Sequence, residues 1–214
     1  MRFANAYNKK IRKGIIMKHS SAFFAMMARM KYIERWALMR NSQKENISEH
    51  SLEVAMIAHA LALLGNKRFG KSYNPEHVAL LGIYHDCTEI ITGDMPTPIK
   101  YENPEIQAAY KQIEKGAAFR LLNMLPEDLR EDYEAYFLEL PEDKEAHLLV
   151  KAADKLSALI KCVEEIKAGN QEFRSAEKTI RHAIATMDCP EATMFLQDFL
   201  PTYTLTLDEL NEYH

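Results

Sequence analysis

Cysteine, glycine and proline are all scarce in this 214-residue sequence, and each shortage excludes a class of protein. Three cysteines fit neither a paired disulfide framework nor a CxxC ligand set, and an odd number is typical of a reducing compartment, which predicts a cytoplasmic protein. Seven glycines and eight prolines are too few for a turn-dense β-sandwich and favour a mostly helical chain. The 47% of hydrophobic residues can bury a sizeable core, so one domain is the default expectation.

Long hydrophobic runs are missing as well. The richest stretch, Val54 to Leu64, is interrupted by His59 and stops at Gly65. Because a helix needs about 18 to 20 apolar residues to cross a bilayer, we expect neither a membrane-spanning segment nor a membrane partner.

Acidic residues are absent from residues 1–16, which carry five basic side chains. The net charge of the whole chain is −4, so the rest of the chain has a net charge of −9. Such an acidic body repels a phosphate backbone, and the remaining basic residues are scattered. The sequence therefore predicts no nucleic acid polymer as a partner.

The basic segment 1–16 has three interpretations. It lacks the apolar stretch and cleavage site of a secretory signal, and it is short for a nucleic-acid-binding arm. The third interpretation is that it is not native, because Arg12-Lys13-Gly14 can be encoded by a purine-rich run resembling a ribosome-binding site just before Met17. We expect translation to start at Met17 and residues 17–214 to form the domain.

Helix start and stop signals recur along the chain, and no convincing strand alternation is found. Ser48 predicts the start of a helix that Gly65-Asn66 ends, and Asn74-Pro75 predicts a helix through about Ile91, ended by Thr92-Gly93. Similar signals predict further helices that begin near Ser20 or Ser21, Asn103, Pro126, Pro141, Gln171, Pro190 and Thr206. The fold class expected is therefore all-α.

The pair His85-Asp86 is the first candidate for chemistry. A lone His-Asp dipeptide is usually solvated or a satisfied core pair, but this one lies within an apolar segment from Leu80 to Ile91. A buried carboxylate needs a partner, and imidazole and carboxylate are ligands that a divalent metal accepts. Two further ligands are needed to complete such a site.

His50 and Asp154 are the two further candidate ligands, each next to apolar positions of another predicted helix. Taken separately, His50 is better explained as an exposed residue of a first turn, and Asp154 as an ion-pair partner of Lys151 or Lys155. Taken together with His85-Asp86, the order His, His-Asp, Asp resembles the signature of the HD-domain metal-dependent phosphohydrolases. That resemblance implies a single helical-bundle domain.

A closer resemblance covers nearly the whole chain from Met17. The sequence is similar to the bacterial YfbR-like 5'-deoxynucleotidase family in long, ordered motifs, namely Arg35-Trp36 with Met39-Arg40, Glu45 to Ser51, Tyr84 to Glu89 and Thr92 to Lys100. This resemblance implies hydrolysis of deoxyribonucleoside 5'-monophosphates to deoxynucleoside and phosphate, and a homodimer. It implies a divalent ion, with cobalt expected first and manganese or copper as alternatives, held by His50, His85, Asp86 and Asp154.

The resemblance also assigns roles near the metal. Glu89 matches a carboxylate important to catalysis, and Arg35 matches a residue that orients the phosphate and so serves both binding and catalysis. Trp36 matches a residue that borders the nucleotide. Without the resemblance, these three would be a solvent-facing acid, a surface ion-pair partner and a core residue. The residues implied to contact substrate are Arg35, Trp36, His50, Asp86, Asp94, Met95, Pro96, Thr97 and Asp154.

Two rival functions remain open at this point. One is another hydrolase of the same superfamily, acting on a cyclic nucleotide or a pyrophosphorylated alarmone, which would not be expected to share the Arg35-Trp36 and 92–100 segments. The other is a non-catalytic nucleotide-sensing module that keeps the fold without turnover. Cys87 lies inside a motif, and we expect it to pack rather than act as a nucleophile.

Overall fold

The structure is a computed structural model that describes residues 20–96, 100 and 103–213. The described residues contain helices and no strand beyond an isolated bridge between Glu34 and Asn46, which confirms the all-α fold. The segment 1–16, the proposed start at Met17 and the side chain of Thr97 lie outside the described residues. The statements made about them above stay predictions.

The described part of the chain contains ten α-helices joined by turns and four short 3-10 helices. The α-helices are α1 (Phe23–Met27), α2 (Ile47–Arg68), α3 (Pro75–Tyr84), α4 (Glu89–Thr92), α5 (Pro104–Leu122), α6 (Glu127–Phe137), α7 (Lys144–Lys167), α8 (Arg174–Ala185), α9 (Pro190–Asp198) and α10 (Leu207–Glu212). The 3-10 helices are Met30–Tyr32, Pro141–Asp143, Gln171–Phe173 and Leu200–Thr204.

Helix α2 differs at both ends from the helix expected between Ser48 and Gly65. Its N-cap is Asn46, whose side chain accepts hydrogen bonds from the backbone N–H groups of Ser48 and Glu49 in a capping box. The helix also continues through Gly65, where an added Cβ would lie 2.5 Å from the ring of Tyr73. Gly65 therefore lies inside the helix, where it allows Tyr73 to pack closely, and does not end the helix.

At 22 residues, α2 is long and apolar enough, by length and composition, to cross a membrane, with a mean hydropathy of 1.2 over its best window. However, 56% of that window is buried inside the fold. A core helix meets the same criterion, and α2 is the helix around which α3 and α7 pack.

The main core lies between α2, α3 and α7, with α9 and Leu200–Thr204 closing one side. Gly82 of α3 allows α2 and α3 to approach closely, because a Cβ at Gly82 would lie 2.9 Å from the Cα of Ala55. Fully buried side chains from these three helices include Val54, Ala58, Leu61, Val78, Leu81, Ala152, Ala153, Leu156 and Leu159. This packing brings His50, His85 and Asp154, which lie far apart in sequence, into one region.

The helix expected from Pro75 to Ile91 is interrupted. Helix α3 ends at Tyr84, a turn follows, and α4 begins at Glu89. In that turn the N–H of Cys87 bonds to the carbonyl of Tyr84 and that of Glu89 to Asp86, both three residues back, so the chain is tighter than an α-helix there. The side chain of Cys87 is buried in a smaller core with Phe23, Ile47, Leu121, Leu122 and Leu125. With the chain tightened there, Asp86 Oδ2 lies 3.1 Å from His85 Nε2 and 3.5 Å from His50 Nε2.

Candidate active site

Three of the predicted metal ligands come together at the end of α3. The candidate ligand atoms of His50, His85 and Asp86 all lie within 4.8 Å of one another. Asp154, from α7, lies beside this group, with its Oδ1 3.1 Å from His50 Nε2. His50 is 1% exposed, so the alternative that it is an exposed first-turn residue is wrong.

His85 is oriented as a ligand. Its Nδ1 lies 2.8 Å from the carbonyl oxygen of Gly82, which only accepts hydrogen bonds, so Nδ1 carries the proton. The opposite nitrogen, Nε2, is buried and makes no hydrogen bond, although it lies 3.1 Å from Asp86 Oδ2. A buried imidazole nitrogen without a hydrogen bond, beside a carboxylate, is an arrangement that a divalent cation satisfies.

Two residues that sequence reasoning missed, Ser157 and Glu53, orient His50 through a series of hydrogen bonds to its Nδ1. Ser157, fully buried on α7, donates its hydroxyl proton to Glu53, so its oxygen accepts from His50 Nδ1 across 3.0 Å. His50 Nε2 then faces the carboxylates of Asp86 and Asp154: in the protonated ring it donates to Asp154, and in the neutral ring it is free to bind a metal. This favours a cation between them. A polar Ser157 inside the apolar stripe of α7 was the sequence signal that could have identified it.

The two carboxylates of the site are ionised at neutral pH. Burial alone would raise the pKa of Asp154, but the hydrogen bond from His50 and the charge of Arg35 outweigh it and lower that pKa to about 2. Burial would also raise the pKa of Asp86, but the charges of His85, His50 and Arg35 lower it overall. Two ionised carboxylates beside two imidazoles suit a divalent metal, which takes the place of any proton on the imidazole nitrogens that face them.

Glu89 has the opposite charge state. It is 5% exposed, so the alternative of a solvent-facing acid is wrong, and its Oε2 has no hydrogen-bond partner. Burial, followed by the negative charges of Asp86 and Asp94, raises the pKa of Glu89 to about 9. Glu89 therefore holds a proton at neutral pH, at the edge of a group of ionised carboxylates.

Arg35 lies inside the site rather than in the surface ion pair considered from the sequence. Its side chain is 12% exposed, and three carboxylates surround the guanidinium. Nε lies 3.0 Å from Glu45 Oε2, Nη1 lies 3.2 Å from Asp86 Oδ2 and Nη2 lies 3.8 Å from Asp154 Oδ1. The two terminal nitrogens thus point to the residues expected to bind the metal.

Trp36 follows Arg35 in a strained conformation, with a φ of +58° that a bulky residue rarely adopts. Its indole Nε1 donates to Glu45 Oε2 across 3.0 Å, and its ring packs against Phe173 at 5.3 Å between centroids. The side chain is half-buried rather than a core residue. The backbone carbonyl of Trp36 accepts from Asn41, which holds the strained turn in place.

The loop expected to contact substrate begins at Gly93, whose φ is +74°. Asp94, Met95 and Pro96 are half-buried, and Thr97 lies outside the described residues. Asp94 is close enough to Arg35 and Asp86 for their charges to affect it, although burial is the main reason for its raised pKa. The structure thus places the first part of this loop beside the metal-ligand group.

Glu165 is a further structural residue that sequence reasoning missed. Its buried carboxylate accepts hydrogen bonds from the backbone N–H groups of Ser42 and Gln43 and from the side chains of Lys161 and Asn170. These bonds lower the pKa of Glu165 to about 2, against the effect of burial. Glu165 fixes the end of the loop that begins at Trp36.

The three cysteines are free and buried. Burial raises the pKa of Cys87, and the charges of Asp86 and Glu89 raise it further. A thiol in this environment stays protonated, in agreement with the packing role expected for Cys87.

Comparison with known proteins identifies the family. The model of the family described as "5'-deoxynucleotidase YfbR-like" matches residues 22–203. A 5'-deoxynucleotidase of Vibrio cholerae is 51% identical over 191 residues, covering 89% of this chain and 98% of the relative. A 5'-deoxynucleotidase of Yersinia pseudotuberculosis is 48% identical over 191 residues, covering 89% and 97%. The family expected from the motifs is confirmed.

Solved structures share the fold at lower identity. An HD-domain phosphohydrolase from Listeria innocua aligns with a TM-score of 0.72 and 20% identity, over 88% of this chain and 91% of that one. A cyanophage S-2L HD phosphohydrolase, bound to dA and one catalytic Zn2+ ion, aligns with a TM-score of 0.59 and 20% identity, over 84% and 95%. The chain therefore has the fold of these phosphohydrolases, and the family model and the two relatives show that it belongs to the YfbR-like 5'-deoxynucleotidase family.

Proposed function

We propose that this protein is a metal-dependent 5'-deoxynucleotidase that hydrolyses deoxyribonucleoside 5'-monophosphates to deoxynucleosides and inorganic phosphate. The single observation that carries the proposal is the convergence of His50, His85 and Asp86, with the buried Nε2 of His85 lacking a hydrogen bond. The guanidinium of Arg35 lies beside them, where a phosphate would need a cationic partner. Membership of the family supports the same substrate class.

The residues that would hold the metal are His50, His85, Asp86 and Asp154. A bound divalent ion supplies Lewis acidity toward a phosphate oxygen and lowers the pKa of a bound water. Cobalt is our first choice for activity in vitro, with manganese and copper as alternatives, because a mixed imidazole and carboxylate set accepts any of them. The cyanophage neighbour, which binds Zn2+, supports a divalent ion in general.

Arg35 binds and orients the phosphate. Its planar guanidinium presents two terminal nitrogens on the side of Asp86 and Asp154, a geometry that suits bidentate contact with phosphate oxygens. Burial excludes much of the competing water, so each of these charge-assisted hydrogen bonds is stronger than it would be on the surface. Asp86 and Asp154 also repel free anions, which makes Arg35 necessary for phosphate to bind there.

Glu89 transfers the proton that the leaving 5'-oxygen needs. When water attacks the phosphorus, the bond between phosphorus and the 5'-oxygen breaks and that oxygen needs a proton. Glu89 holds a proton at neutral pH and has a free Oε2, so it donates to the leaving oxygen and recovers a proton from the attacking water. The protons balance, and the products are a deoxynucleoside and inorganic phosphate.

Trp36 and the loop from Asp94 form the nucleoside side of the proposed site. The indole ring lies next to Arg35 and offers an aromatic face to the sugar or base. We assign discrimination at the sugar 2' position to Asp94, Met95, Pro96 and Thr97, by steric exclusion or through the Asp94 carboxylate. Because His50, Asp86 and Asp154 surround the phosphate position, they also contact substrate in this proposal.

The decisive experiment is phosphate release from metal-stripped protein with cobalt, manganese, copper, zinc or magnesium restored. The substrate panel is 5'-dNMPs, 5'-NMPs, a 3'-dNMP, cyclic AMP, a guanosine pyrophosphate and a DNA oligonucleotide. Metal-dependent release confined to 5'-deoxynucleotides supports the proposal. Hydrolysis of the cyclic nucleotide or pyrophosphate alone would favour another superfamily activity, and metal binding with no release from any substrate would favour a sensing module.

We also propose a cytoplasmic homodimer: the family resemblance implies the dimer, and the three free cysteines favour a reducing compartment. Three exposed apolar residues, Leu52, Met56 and Leu63, lie along one side of α2 and are 59%, 59% and 41% exposed. A second copy packing along this stripe would bury it. Light scattering of the wild-type protein and of Met56→Glu tests the assembly, with the wild type expected as a dimer and the variant as a monomer. A monomeric wild type would overturn it.

A further inference from the structure

A single carboxylate oxygen connects the two residues that we place against phosphate and nucleoside. Glu45 Oε2 accepts a hydrogen bond from Arg35 Nε and another from Trp36 Nε1, each across 3.0 Å. The side chains of Glu45 and Arg35 are 14% and 12% exposed, so this contact is mostly shielded from water. Within the described part of the chain, Glu45 alone accepts side-chain hydrogen bonds from both Arg35 and Trp36.

The position of Glu45 around the guanidinium differs from that of the other two carboxylates. Asp86 and Asp154 face the terminal nitrogens Nη1 and Nη2, and both belong to the proposed metal-ligand set. Glu45 instead binds Nε, so its contact with Arg35 uses neither terminal nitrogen. It can therefore keep its contact while Nη1 and Nη2 exchange partners for phosphate oxygens.

The backbone makes Glu45 a connection between two parts of the site. The carbonyl of Glu45 accepts a hydrogen bond from the N–H of Arg35 across 2.9 Å. Two residues after Glu45, the N–H of Ile47 donates to the carbonyl of Ile33, which lies two residues before Arg35. Glu45 immediately precedes the N-cap of α2, the helix that carries His50. The Arg35-Trp36 segment is thus fixed to the start of a metal-ligand helix by backbone and side-chain bonds together.

The strained backbone of Trp36 shows that this segment needs such support. A φ of +58° is unfavourable for tryptophan and persists only where surrounding contacts impose it. The indole bond to Glu45 and the bond from Asn41 to the Trp36 carbonyl are contacts of that kind. Losing the first frees the indole ring to leave its position against Phe173.

We propose that Glu45 is a positioning residue that locks Arg35 and Trp36 into one unit, so that phosphate and nucleoside are recognised at a fixed relative position. The proposal rests on the proposed function for the roles of Arg35 and Trp36. Glu45 touches neither substrate nor metal in this proposal and acts through its two neighbours. If Trp36 were displaced, the protein would still bind phosphate but would bind the nucleoside more weakly.

The test uses Glu45→Gln, which keeps the size of the side chain and removes its charge. Its matched control is Glu34→Gln, because Glu34 lies on the same segment and makes an exposed ion pair with Lys44. Trp36 is the only tryptophan, so its fluorescence quenching by acrylamide reports its environment in the metal-free, nucleotide-free protein. We expect stronger quenching in Glu45→Gln than in the wild type and no change in Glu34→Gln.

Kinetics give the second readout. We expect kcat/KM for a 5'-dNMP to fall about tenfold or more in Glu45→Gln, the scale of one lost hydrogen bond to a charged group, and to stay near wild type in Glu34→Gln. In an Arg35→Ala background, Glu45→Gln should cost less than it does alone, because the two residues act together. Glu45→Asp keeps the charge but shortens the side chain by one methylene, so Trp36 quenching and kcat/KM should change in the same direction as in Glu45→Gln. It replaces Glu45→Gln as the test variant if that variant does not fold.

Unchanged Trp36 quenching and unchanged kcat/KM in both Glu45 variants would overturn the positioning role. The fluorescence measurement needs no substrate, so it separates this proposal from the proposed function. A wild-type protein that hydrolyses no 5'-dNMP would refute the activity, while the quenching comparison would still decide whether Glu45 holds Trp36.

Discussion

His85 donates its Nδ1 proton to the carbonyl of Gly82, one helical turn earlier, across 2.8 Å. Gly82 is also a point of close approach between α3 and α2, since a Cβ there would lie 2.9 Å from Ala55 Cα and 3.1 Å from its nitrogen. One residue without a side chain therefore sets both the orientation of a metal ligand and the distance between two helices that carry ligands.

Gly82→Ala is expected to destabilise the protein. The added methyl group meets backbone atoms that cannot move aside, a cost of about 1 to 3 kcal/mol that exceeds the gain of about 1 kcal/mol in helix propensity. Displacement of α3 also moves His85, so metal affinity should fall. Chemical denaturation and calorimetric metal titration measure the two effects.

Gly116→Ala is the matched control for this prediction. Gly116 lies inside α5 with nothing within 4 Å of an added Cβ, so alanine there should stabilise the protein by up to about 1 kcal/mol. If Gly82→Ala were as stable as Gly116→Ala, close packing of α2 on α3 would not be what requires glycine.

Ser157→Ala is expected to weaken metal binding. Ser157 passes a hydrogen bond from His50 Nδ1 to Glu53 and so fixes which nitrogen of His50 is free to bind metal. Loss of such an outer partner typically costs 10- to 100-fold in metal affinity, and we expect a decrease of about that size here. Equilibrium titration of metal-stripped protein with cobalt or zinc measures it without reference to activity.

Ser51→Ala provides the comparison for Ser157→Ala. Ser51 is 2% exposed on the same helix as His50, and its hydroxyl oxygen has no hydrogen-bond partner. Removing it should leave metal affinity near that of the wild type. Equal affinities for the two serine variants would show that the chain from His50 to Glu53 does not tune the site.

Glu89→Gln is expected to lose turnover while keeping the fold and the metal. The amide keeps the shape of the carboxyl group but has no acidic proton to transfer to the 5'-oxygen, so kcat should fall by about 10²- to 10⁴-fold. Metal content, thermal unfolding and steady-state kinetics on one preparation separate these effects; a kcat within threefold of wild type would remove Glu89 from the proton transfer. Glu76→Gln, in the first turn of α3, is the control for a glutamate outside the site.

Arg35→Ala should mainly impair productive binding of the phosphate. It removes the cation between Asp86 and Asp154, so a phosphate must approach two uncompensated carboxylates. We expect a large loss of kcat/KM and weaker inhibition by inorganic phosphate. Wild-type inhibition by phosphate in this variant would contradict the role.

Helix starts were predictable from the sequence where the signal is local. Asn74-Pro75 and Asn103-Pro104 begin helices as expected, because a capping side chain followed by proline is a local signal that needs no tertiary contact. The end of α2 was predicted wrongly at Gly65, because the demand for glycine there comes from Tyr73, which local reasoning does not see.

The same limit applies to the functional residues. The HD motifs led to His50, His85 and Asp154, and the structure brings them together, although on local grounds His50 looked like an exposed residue. Ser157 and Glu45 were not identified as supporting residues, because their roles exist only through contacts between distant or folded-back segments. Ligand types follow from chemistry, whereas the residues that orient them follow from packing.

Glu165 makes the stability of the protein depend on pH. Its pKa is lowered to about 2 in the folded protein from an ordinary value of 4.5, so the stability that it contributes is present above pH 4.5 and is lost as the pH falls toward 2. Glu165→Gln also leaves the buried Lys161 without its carboxylate partner, and we expect a loss of about 3 kcal/mol at pH 7.

In Glu165→Gln, the difference in unfolding free energy from the wild type should therefore shrink between pH 4.5 and pH 2. Urea denaturation at several pH values across this range tests the window. The control Glu177→Gln breaks an ion pair with Arg181 that is partly exposed to solvent, and should cost no more than about 0.5 kcal/mol. A loss in Glu165→Gln that is equally small, or that does not change with pH, would mean that the loop from Trp36 to Gln43 is held by its other contacts. That loop also positions Trp36 in the site. A large loss of unfolding free energy in Glu165→Gln would therefore mean that the contacts that stabilise the fold also position Trp36 on the nucleoside side of the site.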